Sequence, residues 1–471
     1  MSAGDPERRR RMLEDPVGPT LVRLAAPMMI GIAVMLLFNL VDTFWVGQLG
    51  PTELAAMGFT FPVAMVVSNL TIGLSIGASA TIARAIGEGR DDRVRVLTTD
   101  SLILAVVIVV AVSLAGLLSI EPLFRLLGAD EGTLPLIGEY MVPWYAGVGM
   151  LVIPMLGNGA IRATGDTRTP AIVMILGGLV NAVADPVLIF GLGPIPAMGL
   201  RGAAYATLGA WAVSMIGMIY LLRRERMLTF ALPRLSRLLA SCKAILPIGV
   251  PAAGTNLLTP LAAGAVTRIV AEHGQHAVAA YGVGTRVEGL SLIGVFAMTA
   301  AMTPFVGQNL GAGRGERLVE ALRFVTRAAL VWGLACAALF AALASPIARI
   351  FNDDAEVIAM TETYLRLVPI SYAPYGVAIL VASLFNAMNM PVKATALAAL
   401  RLIGLAIPLA WIGSALLELT GVFLGIVAAN AIMGAVALLY ARSVVQAVAR
   451  ELPDAVPEPA HRPSGAPGDV W

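Results

Sequence analysis

The stretch Gly87-Glu88-Gly89-Arg90 recurs 224 residues later as Gly311-Ala312-Gly313-Arg314. The same shift matches further anchor residues on both sides of this stretch. They pair Pro27 with Pro251, Gly50 with Gly274, Ala56 with Ala280, Gly58 with Gly282, Pro122 with Pro346, Arg125 with Arg349, Asp130 with Asp354 and Tyr140 with Tyr364. Because the matches extend over most of the chain, the sequence predicts two copies of one structural unit.

The amino-acid composition is that of a membrane protein. Of the 471 residues, 58% are hydrophobic and 13% are charged, and the mean hydropathy is +0.83. Apolar stretches long enough to cross about 30 Å of hydrocarbon recur about twelve times, without the alternation of polar and apolar residues that barrel strands show. We therefore predict an all-α integral membrane fold. Its twelve transmembrane helices would form two six-helix lobes around a central cavity.

An even number of spans in each copy predicts a parallel repeat, because the chain then returns to its starting side. The predicted N-lobe covers 20–222 and the predicted C-lobe covers 244–447, with a cytoplasmic linker at 223–243 between them. Residues 1–19 would be a cytoplasmic segment, and residues 448–471 a disordered cytoplasmic tail. With this topology 26 of the 32 Lys and Arg residues fall on one side. By the positive-inside rule that side is cytoplasmic, so we expect a multi-pass protein of the inner (plasma) membrane.

Two carboxylates inside predicted spans are the main candidates for function, because buried charge in a membrane is costly. Asp42 lies on the first span and Asp185 on the fifth, each about 10 Å from the end of its helix opposite the termini. Asn181 lies one turn before Asp185, and Thr207 falls at a similar depth on the sixth span. Pro186 weakens the fifth helix beside Asp185, which predicts a hinge. Asn39, one turn before Asp42, is a further candidate for substrate binding or gating.

A pair of nearby acids in a pocket of low dielectric constant can take up a proton or a small cation. Both carboxylates cannot ionise cheaply there, so they should titrate as one coupled unit. The positions that match Asp42 and Asp185 in the second half are Val266 and Leu409. Since the second half uses the same plan without these acids, the acids favour a functional asymmetry, with ion coupling in the first half.

The remaining polar residues give weaker indications. Arg286 and Glu288 lie within the eighth span, but a spacing of two points them apart, and they are candidates for substrate binding or gating. Arg401 is interpreted as a residue near a cytoplasmic helix end that extends its charge to the surface. The two cysteines lack metal-ligand spacing, and the basic run at 8–11 lacks the interleaved aromatics of a nucleic-acid site. We expect no cofactor and no nucleic-acid partner.

The chain resembles the multidrug and toxic compound extrusion (MATE) family, in its prokaryotic branch. The motifs that carry the resemblance are Ala25-Ala26-Pro27, Asp42-Thr43, Val46-Gly47, Asn181 with Asp185-Pro186, Gly202 to Thr207, and Pro304 with Gly307 to Gly313. The resemblance implies a V-shaped pair of lobes that exports bulky, often cationic amphiphiles in exchange for protons or sodium ions. It also implies that Asp42, Asn181, Asp185 and Thr207 form the polar cluster of the first lobe. One departure is Phe38, where related chains often carry a tyrosine.

The sequence therefore predicts secondary active multidrug efflux by cation antiport. The expected coupling ion is the proton; the alternative is sodium, bound at Asp42, Asn181, Asp185 and Thr207. The partners would be small amphiphilic substrates and membrane lipids, and the protein would be a monomer. A lipid or lipid-linked oligosaccharide flippase of the same fold is the second hypothesis. An intramembrane enzyme is a remote third, since the sequence has no nucleophile or metal motif.

Overall fold

The computed structural model describes residues 5–229 and 235–452, apart from the side chain of Asn39. The helices of the first half are α1 (Pro6–Glu14), α2 (Val17–Gly47), α3 (Pro51–Gly87), α4 (Asp91–Leu118), α5 (Ile120–Leu126), α6 (Thr133–Ala163), α7 (Arg168–Phe190) and α8 (Gly199–Arg224). Those of the second half are α9 (Leu235–Ala271), α10 (Gln275–Ser291), α11 (Ile293–Gly311), α12 (Gly315–Ala342), α13 (Ala344–Phe351), α14 (Ala355–Leu367), α15 (Tyr372–Ala387), α16 (Pro391–Ala399) and α17 (Ile407–Glu451).

Within the described residues, 11 helical segments are long and apolar enough to cross a membrane. The last of them, Pro391–Glu451, contains two crossings, because the backbone leaves helical geometry at Leu417 and Glu418. Beside this bend Gly413 and Gly421 touch backbone to backbone, so a Cβ atom on either would collide with the other. The chain can therefore reverse direction there, and the structure has the twelve-helix, two-lobe fold that the sequence predicts.

The matched anchors Asp130 and Asp354 have the same local role in the two halves. The Asp130 carboxylate accepts hydrogen bonds from the backbone N–H groups of Gly132 (3.1 Å) and Thr133 (2.8 Å). The Asp354 carboxylate accepts from those of Glu356 (2.8 Å) and Val357 (3.1 Å). These bonds, together with one from the Thr133 hydroxyl to Asp130, hold the pKa of both carboxyls below their usual range. Asp354 is the N-cap of α14, and Asp130 binds the backbone immediately before and at the start of α6, which explains the presence of the aspartate in both copies.

The two lobes meet mainly where α3 crosses α9 and where α11 packs on α2 and α3. Gly73 of α3 lies against Gly249 and Ala253 of α9, and Gly77 lies against Gly249. These close approaches all lie in the α3 half that ends at Gly87. We call the side of the membrane that carries Gly87, α1 and the end of α17 the terminal face.

Towards the opposite side of the membrane the glycines of these helices make no such close contacts. Gly58 on α3 and Gly264 and Gly282 on α9 and α10 have no atom within 4 Å of the place where a Cβ would stand. We infer from this difference in packing that the lobes separate towards the opposite face, with a central cleft between them.

Helix α1 bridges the two lobes at the terminal face. From the first lobe, Asp166 and Glu225 form ion pairs with Arg8 at 3.3 and 3.4 Å. From the second lobe, Asn309, Arg314 and Arg317 donate hydrogen bonds of 2.7 to 3.2 Å to backbone carbonyls at the end of α1 and just after it. The last carbonyls of a helix have no partner within it, so these donors complete its C-terminus.

The segment between the halves is anchored by a buried ion pair. The Asp100 carboxylate on α4 is fully buried and accepts from Arg237 at 2.9 Å and from the Ser241 hydroxyl at 2.6 Å. Residues 235–243 of the predicted linker form the first turns of α9, and residues 230–234 lie outside the described residues. At the other predicted boundary, α17 continues to Glu451, and the tail from residue 453 also lies outside them.

Candidate functional site

The central feature of the first lobe is a contact between two carboxylates. Asp42 on α2 and Asp185 on α7 lie within hydrogen-bonding range of each other, where those two helices pack side by side. Asp185 is 0% exposed and Asp42 is half-buried. Asp42 Oδ1 and Asp185 Oδ2 are buried and receive no hydrogen bond from any donor among the described residues. Two carboxylates held this close repel unless positive charge lies between them, so the pair suits a proton or a small cation.

Neutral polar groups surround the acid pair. The Asn181 amide donates to Asp185 Oδ1 at 3.2 Å from one turn earlier on α7. Thr207 on α8 is hydrogen-bonded through its hydroxyl to Tyr140 on α6, and the Tyr140 hydroxyl lies near both carboxylates. The structure therefore brings together the four residues Asp42, Asn181, Asp185 and Thr207 that the sequence indicates. Their role in ion coupling stays a prediction.

Two further predicted residues belong to the same helices. α7 continues as an α-helix through Pro186 to Phe190, and the proline leaves the Ala182 carbonyl without its intrahelical donor. The backbone of Asn39 lies in α2 one turn before Asp42, and its side chain is outside the described part of the structure. The hinge and gating roles of these residues stay predictions.

Tyr140 is a site residue that the sequence indicates only as a repeat anchor. It is 7% exposed and comes from α6, which neither carboxylate occupies. Its partner in the repeat, Tyr364, donates a hydrogen bond of 3.1 Å to Glu288 in the second lobe. Each lobe thus places the matched tyrosine beside an acidic side chain, although the acids come from different positions of the repeat. The repeat match is the signal that could have identified both tyrosines.

Arg401 is part of the polar cluster of the second lobe, so its interpretation as a surface-seeking residue is wrong. It lies about 15 Å along the helix from Pro391, inside the π-helical turn Leu400–Ala406. Its guanidinium is centred 4.2 Å from the Tyr375 ring and donates to Asn430 at 3.3 Å. It is also close enough to Glu288 to stabilise that carboxylate electrostatically. Within this lobe Glu288 is therefore satisfied by a hydroxyl and a nearby cation.

Arg286 points away from Glu288, as the spacing of two predicts. It is exposed and lies about 16 Å along α10 from Gln275, which places it at mid-membrane depth. No hydrogen bond or ion pair joins Arg286 to another residue in the described ranges 5–229 and 235–452. An unpaired arginine at this depth is too costly to face lipid, so we infer that it faces the water-filled cleft between the lobes.

The described residues contain no group of three or more His, Cys, Asp and Glu side chains that could hold a metal ion. The acid pair is a cluster of a different kind. It combines two carboxylates with an amide and two hydroxyls, and a monovalent cation needs no third acid.

Comparison with known proteins matches both halves of the chain to one family. The MatE family model matches residues 27–187 and again 251–412, and the two matches begin 224 residues apart. The chain is 38% identical over 441 residues to a protein of Shewanella oneidensis named FAD transporter, covering 93% of this chain and 98% of that one. It is 26% identical over 414 residues to the probable multidrug resistance protein YoeA of Bacillus subtilis, covering 86% and 89% of the two chains.

Solved structures give the same result. The Vibrio cholerae MATE transporter VcmN in its bent form superposes with a TM-score of 0.88 at 30% identity, over 92% of this chain and 98% of that one. A transporter of the MOP superfamily from Pyrococcus furiosus superposes with a TM-score of 0.85 at 30% identity, over 93% and 98%. For that transporter, the reverse polarity of the binding pocket is described as suggesting a different function.

Proposed function

Because the chain belongs to the MatE family, whose members are membrane transporters and not enzymes, we propose that it exports its substrate in exchange for a cation bound at Asp42 and Asp185. The observation that carries this proposal is the contact between the buried carboxylate of Asp185 and the half-buried carboxylate of Asp42. No described side chain forms an ion pair with either carboxylate, and transport ions are the positive charges that a transporter can supply.

The expected coupling ion is the proton. One proton shared between Asp42 and Asp185 would remove the repulsion between the two carboxylates, so α2 and α7 can pack more closely around it. Asn181 and Thr207 then hold the carboxyls in position. A change in α2 or α7 alters the wall of the cleft, because both helices belong to the lobe that borders it. Sodium is the alternative, with the carboxylates and the oxygens of Asn181 and Thr207 as ligands.

The charge distribution supports an orientation of the protein in the membrane. The terminal face carries most of the Lys and Arg residues, so we assign it to the cytoplasm and place the protein in the inner (plasma) membrane. The cleft is then open to the outside, where protons are abundant. Proton binding would drive the return to a state open to the cytoplasm, in which the proton leaves and new substrate enters.

The proposed substrates are amphiphilic molecules, often cationic, and the relatives named multidrug resistance proteins support drugs as the substrate class. A second candidate is the export of a flavin dinucleotide, suggested by the relative named FAD transporter. The observation that favours it is Arg286, an unpaired cation that we place in the cleft. Such a cation repels cationic drugs and attracts a phosphate group.

The test is transport into or out of proteoliposomes with an imposed pH gradient or an imposed sodium gradient. Asp42→Asn and Asp185→Asn should each lower gradient-driven transport at least about 100-fold while leaving folded protein in the membrane. Asp92→Asn, which changes a fully exposed carboxylate, is the matched control and should transport normally. Full transport by both site variants would refute the assignment, and the gradient that suffices identifies the ion.

The substrate class is tested with Arg286→Gln in the same vesicles. If an anionic dinucleotide is the substrate, FAD transport should fall about tenfold or more, since a charge-assisted hydrogen bond is lost. Transport of a fluorescent cation should be unchanged or faster. Equal FAD transport by the variant and the native chain would contradict the second candidate.

A further inference from the structure

A groove on the side of the first lobe lies outside the proposed coupling site. It runs between α6 and α8, has a volume of about 750 Å³, and is lined mainly by apolar and small residues. Val142 and Met150 of α6 and Leu208 and Ala212 of α8 form its walls. Gly138 and Gly209 leave open space in it, because no atom lies within 4 Å of the place where either Cβ would stand.

The groove faces away from the lobe interior. On α8, Arg201, Tyr205 and Gly209 recur at intervals of four residues and so share one side of the helix. Thr207, which bonds Tyr140 inside the lobe, lies two residues from Tyr205 and Gly209 and therefore on roughly the opposite side. Val142 is 49% exposed in the groove. Since the lobe interior is behind it, the groove opens to the bilayer.

Two opposite charges lie near the end of the groove remote from the terminal face. Arg201 is the third residue of α8 and Glu139 the seventh of α6, so both are within about 10 Å of that helix end. Arg201 donates to the Tyr205 hydroxyl at 3.3 Å and lies 5.6 Å from the centre of its ring. Arg201 and Glu139 form no salt bridge with each other or with another side chain in the described ranges. Both line the groove at headgroup depth with charge available for a ligand.

This combination selects one class of occupant. An arginine beside a tyrosine hydroxyl suits a phosphate diester. A carboxylate on the facing helix accepts hydrogen bonds, so it favours a primary ammonium, which has three N–H donors, over a quaternary ammonium, which has none. The apolar walls below these charges suit an acyl chain.

We propose that the groove is a binding site for a glycerophospholipid with an ethanolamine headgroup, in the leaflet opposite the terminal face. The phosphate lies against Arg201, the ammonium group lies against Glu139, and one acyl chain runs between α6 and α8 past Gly138 and Gly209. The bound lipid supports the two helices that carry Tyr140 and Thr207 from their outer side.

The experiment is native mass spectrometry of the purified full chain, titrated with phosphatidylethanolamine, phosphatidylcholine or phosphatidylglycerol of identical acyl chains. The native chain should retain phosphatidylethanolamine with at least about tenfold preference over the other two lipids. Glu139→Gln should reduce the preference over phosphatidylcholine to about one. Arg201→Gln should weaken binding of all three lipids, and Gly209→Leu, which fills the groove, should weaken it further.

The matched control is Arg268→Gln, which changes an exposed arginine near the corresponding end of α9 and should bind lipid as the native chain does. Equal binding of all three lipids to the native chain would overturn the proposal, and so would stronger binding of phosphatidylglycerol. Unchanged binding by both Glu139→Gln and Gly209→Leu would also overturn it. The result does not depend on the coupling ion, since no gradient is applied.

Discussion

Gly73→Ala should open the terminal face. A Cβ atom at Gly73 would lie 2.5 Å from the Ala253 Cβ and 2.6 Å from both the Ala253 nitrogen and the Gly249 carbonyl oxygen. Ordinary contacts begin at 3.4 Å, so α3 and α9 would have to separate by about 0.8 Å at their crossing. Two of these atoms are backbone and the third is a Cβ fixed to it, so no flexible side chain can give way.

This overpacking destabilises only the conformation that is closed at the terminal face. Extra methyl groups in a close-packed contact typically cost about 1–3 kcal/mol. The lobes touch at Gly73 only while the terminal face is closed, so the population open at that face should rise about 5- to 150-fold. The closed state should therefore lose its dominance without any change at the coupling site.

The assay is a distance measurement by double electron–electron resonance between spin labels on the two lobes. Asp92 and Glu316 are exposed at the terminal face on opposite lobes and can be replaced by labelled cysteines once Cys242 and Cys336 are changed to serine. Gly73→Ala should move the distribution towards longer distances. Gly254→Ala is the matched control, because its Cβ would meet no atom within 4 Å. A distribution that is the same for both variants would refute the reasoning.

Two further predictions concern single hydrogen-bonded groups. Tyr140→Phe removes the hydroxyl that bonds Thr207. It should lower gradient-driven transport about fivefold with normal expression, because a factor of this size corresponds to the loss of about one hydrogen bond. An unchanged initial rate in proteoliposomes would contradict this prediction. Asp100→Ala leaves Arg237 without its buried partner and should lower the free energy of unfolding by about 2–4 kcal/mol, whereas Ser241→Ala should lower it by only about 1 kcal/mol. Thermal unfolding in detergent should therefore give Asp100→Ala the lower melting temperature. Equal melting temperatures of the two variants would show that the ion pair contributes nothing.

The fold could be predicted from the sequence because its determinants are local or repeated. Span length and hydropathy predict the helices, and the shift of 224 residues predicts the two lobes. The approach of Asp42 to Asp185 could also be anticipated, since counting residues from the helix ends places both at one depth. Depth along a helix is a property of the sequence alone.

Lateral contacts between helices could not be predicted in this way. Tyr140 reaches the acid pair from α6 because of how α6 packs on α8, and a single sequence does not contain that geometry. The interpretation of Arg401 is wrong for the same reason. Its partner Asn430 lies 29 residues later on α17, and the π-helical turn that carries Arg401 has no sequence signal as clear as a proline.

Helix α1 acts as a ligand of the protein to which it is tethered. Its two ends are held by different lobes, and only Asp15 and Pro16 separate it from α2, so its local concentration at this joint is of millimolar order or higher. Each opening of the terminal face must release one end of it. The rate of turnover should therefore change when an affinity tag is fused to the amino terminus or when an anionic lipid surface attracts the arginines of α1. Deletion of the first fourteen residues, which removes α1, should change it as well.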